Sequence, residues 1–143
     1  MGYVQSGKTL SFTSLIALAR DNCYGIVILL AGKTNLLKLQ SKNRLSEDLG
    51  VINGNRKFTI VESFEKSDYQ FYTNILDAWS DNSYRDYERS TLIIPVLKEI
   101  KNLNKLIELM RSLQISKKFK FPVLIIDDES DQASPNAFER KPG

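Results

Sequence analysis

The chain has 143 residues, an apolar share of 42% and a net charge of +3, enough for one ordinary domain with a sizeable core. One cysteine, Cys23, and no histidine exclude internal disulfides, thiolate zinc sites, histidine-based triads and most zinc or iron chemistry. The charge is too mild to select a partner. Apolar runs such as Ile26 to Ala31 are far shorter than the roughly 18 to 20 residues of a bilayer span, and no charged-then-apolar leader precedes them, so a cytoplasmic chain with no membrane partner is expected.

The first twelve residues read MGYVQSGKTLSF, in which Gly2, Gly7, Lys8 and Thr9 spell G-x-x-x-x-G-K-T, the pattern of a phosphate-binding loop. Such a match arises by accident in roughly one chain of this length in a few hundred. Glycines let backbone N–H groups close around a β-phosphate, the Lys8 ammonium offsets its charge, and the Thr9 hydroxyl suits Mg²⁺. Gln5 and Ser6, between the glycines, complete the expected nucleotide-binding set. The bland alternative is a glycine turn before a helix.

From Lys8 to Asp21, Phe12, Leu15, Ile16 and Ala19 recur at i, i+3, i+4 and i+7, which predicts a helix with one buried stripe. After Gly25, the run Ile26 to Ala31 predicts a strand covered on both faces, as in a parallel sheet. A helix is expected from about Asn35 to Leu49, then short strands over Phe58 to Val61 and Thr91 to Leu97. Pro95 cannot donate to a ladder and belongs at a strand end or edge. Glu99 to Leu113 predicts a helix whose stripe is Ile100, Leu103, Ile107 and Met110, widened by Leu106 and Leu113. Pro122 introduces a last buried strand, Val123 to Asp127.

Strands alternating with helices predict a three-layer α/β domain with a mostly parallel sheet and right-handed crossovers. Residues 62–90 interrupt the pattern as a polar, aromatic-rich insertion with a short helix near Thr73 to Trp79. Its aromatics suit either a small subcore or base stacking.

The strand ending in Asp127 carries Asp128, Glu129, Ser130 and Asp131 to the edge where parallel sheets place ligand crevices. One carboxylate is needed to hold Mg²⁺ through water and a second to polarise an attacking water, so Asp128 is expected on the metal and Glu129 as the base. The other register puts Asp127 on the metal and Asp128 as base. No transporter-type L-S-G-G-Q signature precedes this strand, and no arginine-bearing kinase lid follows it.

GYVQSGKT followed by VLIIDDESD resembles motifs I and II of superfamily-two helicases, the DEAD/DEAH-box-like motors, with D-E-S-D for D-E-A-D. LAGKTNLLKLQSKNRL resembles their first nucleic-acid-contacting motif, and TLIIPVLKEIKNLNKL the strand, loop and helix that follow. The likeness is nearest to the helicase-like motors of bacterial restriction-type endonucleases, and spans nearly the whole chain.

The resemblance implies a P-loop NTPase fold, with residues 1–143 as part of the first RecA-like domain of a two-domain motor that hydrolyses ATP with Mg²⁺ to move on nucleic acid. DNA is the expected track. It implies phosphate contacts from Lys33, Thr34, Gln40, Arg44 and Lys98, against a solvated, capped helix start as the alternative, and a coupling role for Asp131. Lys117, Lys118 and Lys120 read as a solvated loop. It further implies a sheet incomplete at both ends, with the strand before the phosphate loop, a second RecA-like domain and a nuclease domain as parts of a parent protein, in a restriction or phage-defence setting. The other expectation is a non-catalytic remnant or interaction module that keeps the fold and binds nucleotide weakly or not at all.

Overall fold

The computed structural model describes residues 3–61, 64–116 and 122–127, with side chains from residue 12 onward and, in the last helix, up to residue 113. The elements are α1 (Tyr3–Asp21), β1 (Ile26–Leu30), α2 (Asn35–Asp48), β2 (Phe58–Ile60), α3 (Tyr69–Ser80), β3 (Thr91–Val96), α4 (Ile100–Ser116) and β4 (Val123–Asp127). The strands form one four-stranded, all-parallel sheet in the order β2-β3-β1-β4.

Alternation along each strand divides the core in two. Val27 and Leu29 of β1, Ile93 of β3, Phe58 and Ile60 of β2 and Ile126 of β4 pack against Ile16 and Ala19 of α1 and Leu45 of α2. On the other face, Ile26, Ile28, Leu92, Ile94 and Val96 meet Tyr72 and Leu76 of α3 and Leu106, Leu109 and Leu113 of α4. Two covered faces are why these strands read as unbroken apolar runs.

Pro95 lies inside β3, opposite Leu29 of β1, and the ladder explains it. Thr91 donates its N–H to Lys57 on the β2 side, whereas Leu92 donates to Gly25 on the β1 side. The alternation turns position 95 toward β2, which has already ended at Ile60. The missing donor therefore falls past the last residue of β2.

Two helices depart from the expected stripes. Leu15 is 41% exposed, so the α1 core contact is Ile16 and Ala19 with Phe12 partly buried. On α4 the buried line is Leu106, Leu109 and Leu113, while Ile100 and Ile107 are exposed. The Lys66–Glu108 ion pair marks the α3 side of α4, and Ile100 and Ile107 lie on the opposite flank. Periodicity located the apolar arc of α4 but not the part of it that meets the sheet.

Residues 81–90 are tied to α1 through three side chains. Arg20, 2% exposed, donates to the Asp86 carboxylate at 3.2 Å and to the backbone oxygens of Asp86 and Arg89 at 2.7 and 2.9 Å. The guanidinium carbons of Arg20 and Arg89 lie 5.8 and 5.9 Å from the Trp79 ring, and Trp79 Nε1 donates to the Ser90 oxygen at 2.7 Å. A buried arginine is tolerable because carboxylate, carbonyls and an aromatic face share its charge.

Candidate functional site

In a parallel sheet the strand dipoles and the connecting loops favour ligands at the carboxyl edge, where neighbouring strands send their chains to opposite faces. Here β1 and β3 are neighbours; β1 continues into α2 on one face and β3 into α4 on the other. The two loops part at this point and are stitched together at their base. Ala31 donates its N–H to the Val96 oxygen, and Lys98 donates its N–H to the Gly32 oxygen, both at 2.9 Å. Gly32 has φ +110°, and a Cβ there would stand 3.0 Å from Leu37, so this turn requires glycine.

Of the residues expected to touch phosphate, Lys33 and Thr34 lie in the β1–α2 loop. Thr34 is the N-cap of α2, its backbone extended and its hydroxyl accepting the Leu37 N–H at 3.2 Å. It therefore serves the helix as a cap. Gln40 and Arg44 are exposed on α2, one turn apart on one face and roughly 9 and 15 Å along the axis from Thr34 at 1.5 Å per residue. Lys98 follows β3, and its ammonium meets the Asp127 carboxylate at 2.8 Å, with the side chains 35% and 36% exposed. β1 lies between β3 and β4, so this contact crosses two strand spacings, about 10 Å. Sequence reasoning assigned Lys98 to phosphate and did not foresee this partner, because β3 and β4 are neighbours of β1 and not of one another.

The phosphate-loop set is placed differently from the expectation. α1 begins at Tyr3, so the backbone of Gln5, Ser6, Gly7, Lys8 and Thr9 is helical where a wrapped loop was expected before Lys8. In helical geometry the amides of Gly7, Lys8 and Thr9 donate to carbonyls one turn earlier. A wrapped loop instead aims its N–H groups at a common point and leaves them without intrachain acceptors, so the helix is the form this local sequence favours by itself. Gly2, Asp128, Glu129 and Asp131 lie outside the described residues.

The named donors for a metal, the Thr9 hydroxyl and the Asp128 carboxylate, are hard oxygens of the kind Mg²⁺ prefers. Among the described residues no group of three or more acidic, cysteine or histidine side chains gathers around a common point. The fit to Mg²⁺ thus rests on donor chemistry alone. No helix among the described residues is long and apolar enough to cross a membrane.

The aromatic insertion is split. Tyr72 is buried and Phe64, Tyr69 and Trp79 pack with α3 and α4, whereas Phe71, Tyr84 and Tyr87 are exposed. Tyr84 and Tyr87 precede Thr91, the first residue of β3, and so lie at the amino edge of the sheet, away from Lys33 and Lys98. Burial, followed by the Glu108 and Glu65 carboxylates, raises the Tyr69 hydroxyl above its ordinary pKa. The Ser83 backbone N–H, donated to Asp81 at 2.9 Å, followed by its side chain, holds the Asp81 carboxyl below the ordinary carboxylate range. Asp81 follows the end of α3, on the side of the sheet where β3 begins. No protein-family model matched the chain, and no curated protein or solved structure matched it significantly.

Proposed function

We propose that this chain is the ATP-binding part of a motor domain of helicase or translocase type, which hydrolyses ATP to move on nucleic acid, DNA in the first instance. One observation carries the reading: an apolar parallel strand, β4, ends in Asp127 at the carboxyl edge and continues into Asp128 and Glu129, in a chain that also contains G-x-x-x-x-G-K-T. Lys8 would hold phosphate oxygens, Asp128 and Thr9 the magnesium site, and Glu129 would orient the attacking water and accept its proton. The metal, when bound, supplies positive charge to the phosphate oxygens. Lys33, Thr34, Gln40, Arg44 and Lys98 are the proposed nucleic-acid side. Asp131 would act toward a second RecA-like domain, and a nuclease domain completes the proposed parent protein.

A second reading, an interaction module without nucleotide binding, is favoured by the helical backbone of Gln5 to Thr9. A titration with a fluorescent ATP analogue, with and without Mg²⁺, separates the two. The motor reading expects Mg²⁺-dependent binding that Lys8→Ala weakens by at least about tenfold, the loss of one charge-assisted phosphate contact. Equal, weak binding by wild type and Lys8→Ala would leave the second reading.

A further inference from the structure

We infer that the outward face of α2, from Leu36 to a depression beside Ile52, is a docking surface for a protein partner. The occupant it fits is an amphipathic helix whose apolar side chains lie on Leu36 and Leu39 and whose lysine or arginine enters the depression to meet Glu47. The inference does not depend on the motor reading.

Within α2 only Leu45 is buried, while Leu36 and Leu39 are 62% and 49% exposed. Leu36, Leu39, Asn43 and Glu47 recur at i, i+3, i+7 and i+11 and so share one face of the helix, roughly opposite the line through Leu45 that meets the core. At the carboxyl end of α2 this face opens into a depression of about 440 Å³ lined by Asn43, Ser46, Glu47, Val51 and Ile52. Val51 and Ile52 belong to a short turn of 3-10 helix, Val51–Asn53, flanked by Gly50 and Gly54 at φ +76° and +91°. Asn55 closes the turn, donating its N–H to the Gly50 oxygen at 2.9 Å and its side-chain amide to the Leu49 oxygen at 2.7 Å. Val51 packs against the core, and the fixed turn leaves Ile52 68% exposed beside the polar side chains of α2.

Charge selects the occupant. Glu47 and Asp48 are exposed in the last turn of α2, which carries no basic residue, so their carboxylates add to the negative end of the helix dipole. Lys38, Lys42 and Arg44 lie earlier along the helix. An aliphatic wall next to a carboxylate suits the stem and the cationic head of lysine or arginine, and it opposes a polyanion. The two leucines, one turn apart, supply the apolar seat that a helix laid along a groove requires.

The test uses the full chain and, as the probe, a blocked peptide of about twelve residues, the helix length that matches Leu36 to Glu47 at 1.5 Å per residue. It carries leucine at i, i+4 and i+7 and arginine at i+11, on an alanine and glutamine background. NMR titration is expected to show saturable shifts of the Leu39, Asn43, Glu47 and Ile52 amides. A peptide with glutamate in place of the arginine should bind about fivefold more weakly, and Glu47→Gln should lose about fivefold toward the arginine peptide but nothing toward a glutamine version of it. Ile52→Ser should weaken every version. Both substituted side chains are exposed, so unfolding midpoints at the wild-type value separate lost docking from lost folding. Absence of shifts on this face, or equal binding of the arginine and glutamate peptides, overturns the inference. A single-stranded DNA that shifts the same amides more tightly than the peptide also overturns it, giving the face to nucleic acid. Self-association in sedimentation velocity that Leu39→Gln abolishes overturns it in favour of a second copy of the chain.

Discussion

Arg20 and Asp86 are the two ends of one ion pair in different media, 2% and 73% exposed. The usual rule that surface carboxylates contribute little fails here, because removing Asp86 leaves a buried guanidinium with only backbone oxygens and an aromatic face. Asp86→Ala is therefore expected to destabilise the fold by about 2 kcal/mol, whereas Asp21→Ala, at an exposed position near the same helix end, should change it by about 0.5 kcal/mol or less. Urea unfolding midpoints measure both, and equal small effects would show that the pair is not an anchor. Asp81 carries a pH dependence of known sign. Its folded pKa is lowered, chiefly by the Ser83 backbone N–H, so its contribution is present above the ordinary carboxylate range and is lost as pH falls through the folded value. Ser83→Pro removes that donor, and an NMR titration should then return Asp81 toward ordinary behaviour.

Among the elements, the loop after β1 and the start of α1 give opposite predictions for two glycines. Gly32→Ala meets Leu37 at 3.0 Å with φ +110° and should cost about 1 to 3 kcal/mol. Gly7 stands inside α1, where alanine is favoured over glycine by about 1 kcal/mol. Gly7→Ala thus stabilises the chain if the helix from Tyr3 holds in solution, and weakens nucleotide binding if the segment wraps around phosphate. Thermal unfolding and ATP titration of this variant read the two forms separately.

The strands and the α/β alternation were legible because two covered faces leave β-branched runs such as Ile26 to Leu30; the run Val123 to Asp127 is a strand as expected but not a buried one, since β4 is outermost among the described residues, only Ile126 is buried and Ile125 is exposed. α3 proved longer than the expected Thr73 to Trp79 turnings, spanning Tyr69–Ser80, since its apolar face is shared with α4. The exposed flank of α4 and the Lys98–Asp127 contact were not legible. Both depend on strand order, which places β1 between β3 and β4, and no local pattern encodes that order. Of the expected phosphate contacts, Lys33 and Thr34 follow β1 and Lys98 follows β3 at the carboxyl edge, whereas Gln40 and Arg44 lie further along α2.

The whole molecule is a parallel sheet covered by α1 and α2 on one face and by α3 and α4 on the other, with β4 outermost on one side among the described residues. Ile125, at the centre of β4, is 62% exposed. An exposed apolar side chain on a strand that is outermost among the described residues favours association between chains. Ile125→Thr is expected to reduce concentration-dependent association in sedimentation velocity while leaving the unfolding midpoint within about 1 kcal/mol of wild type; unchanged association would remove this edge as its source.

On the proposed motor reading, GYVQSGKT would form a phosphate site. The most direct measurement is an NMR titration of the isotope-labelled chain with ATP and Mg²⁺, following the backbone amides of Gly7, Lys8 and Thr9. Saturable shifts of these three amides that vanish in Lys8→Ala are expected. Amides that stay in place through millimolar nucleotide would contradict it.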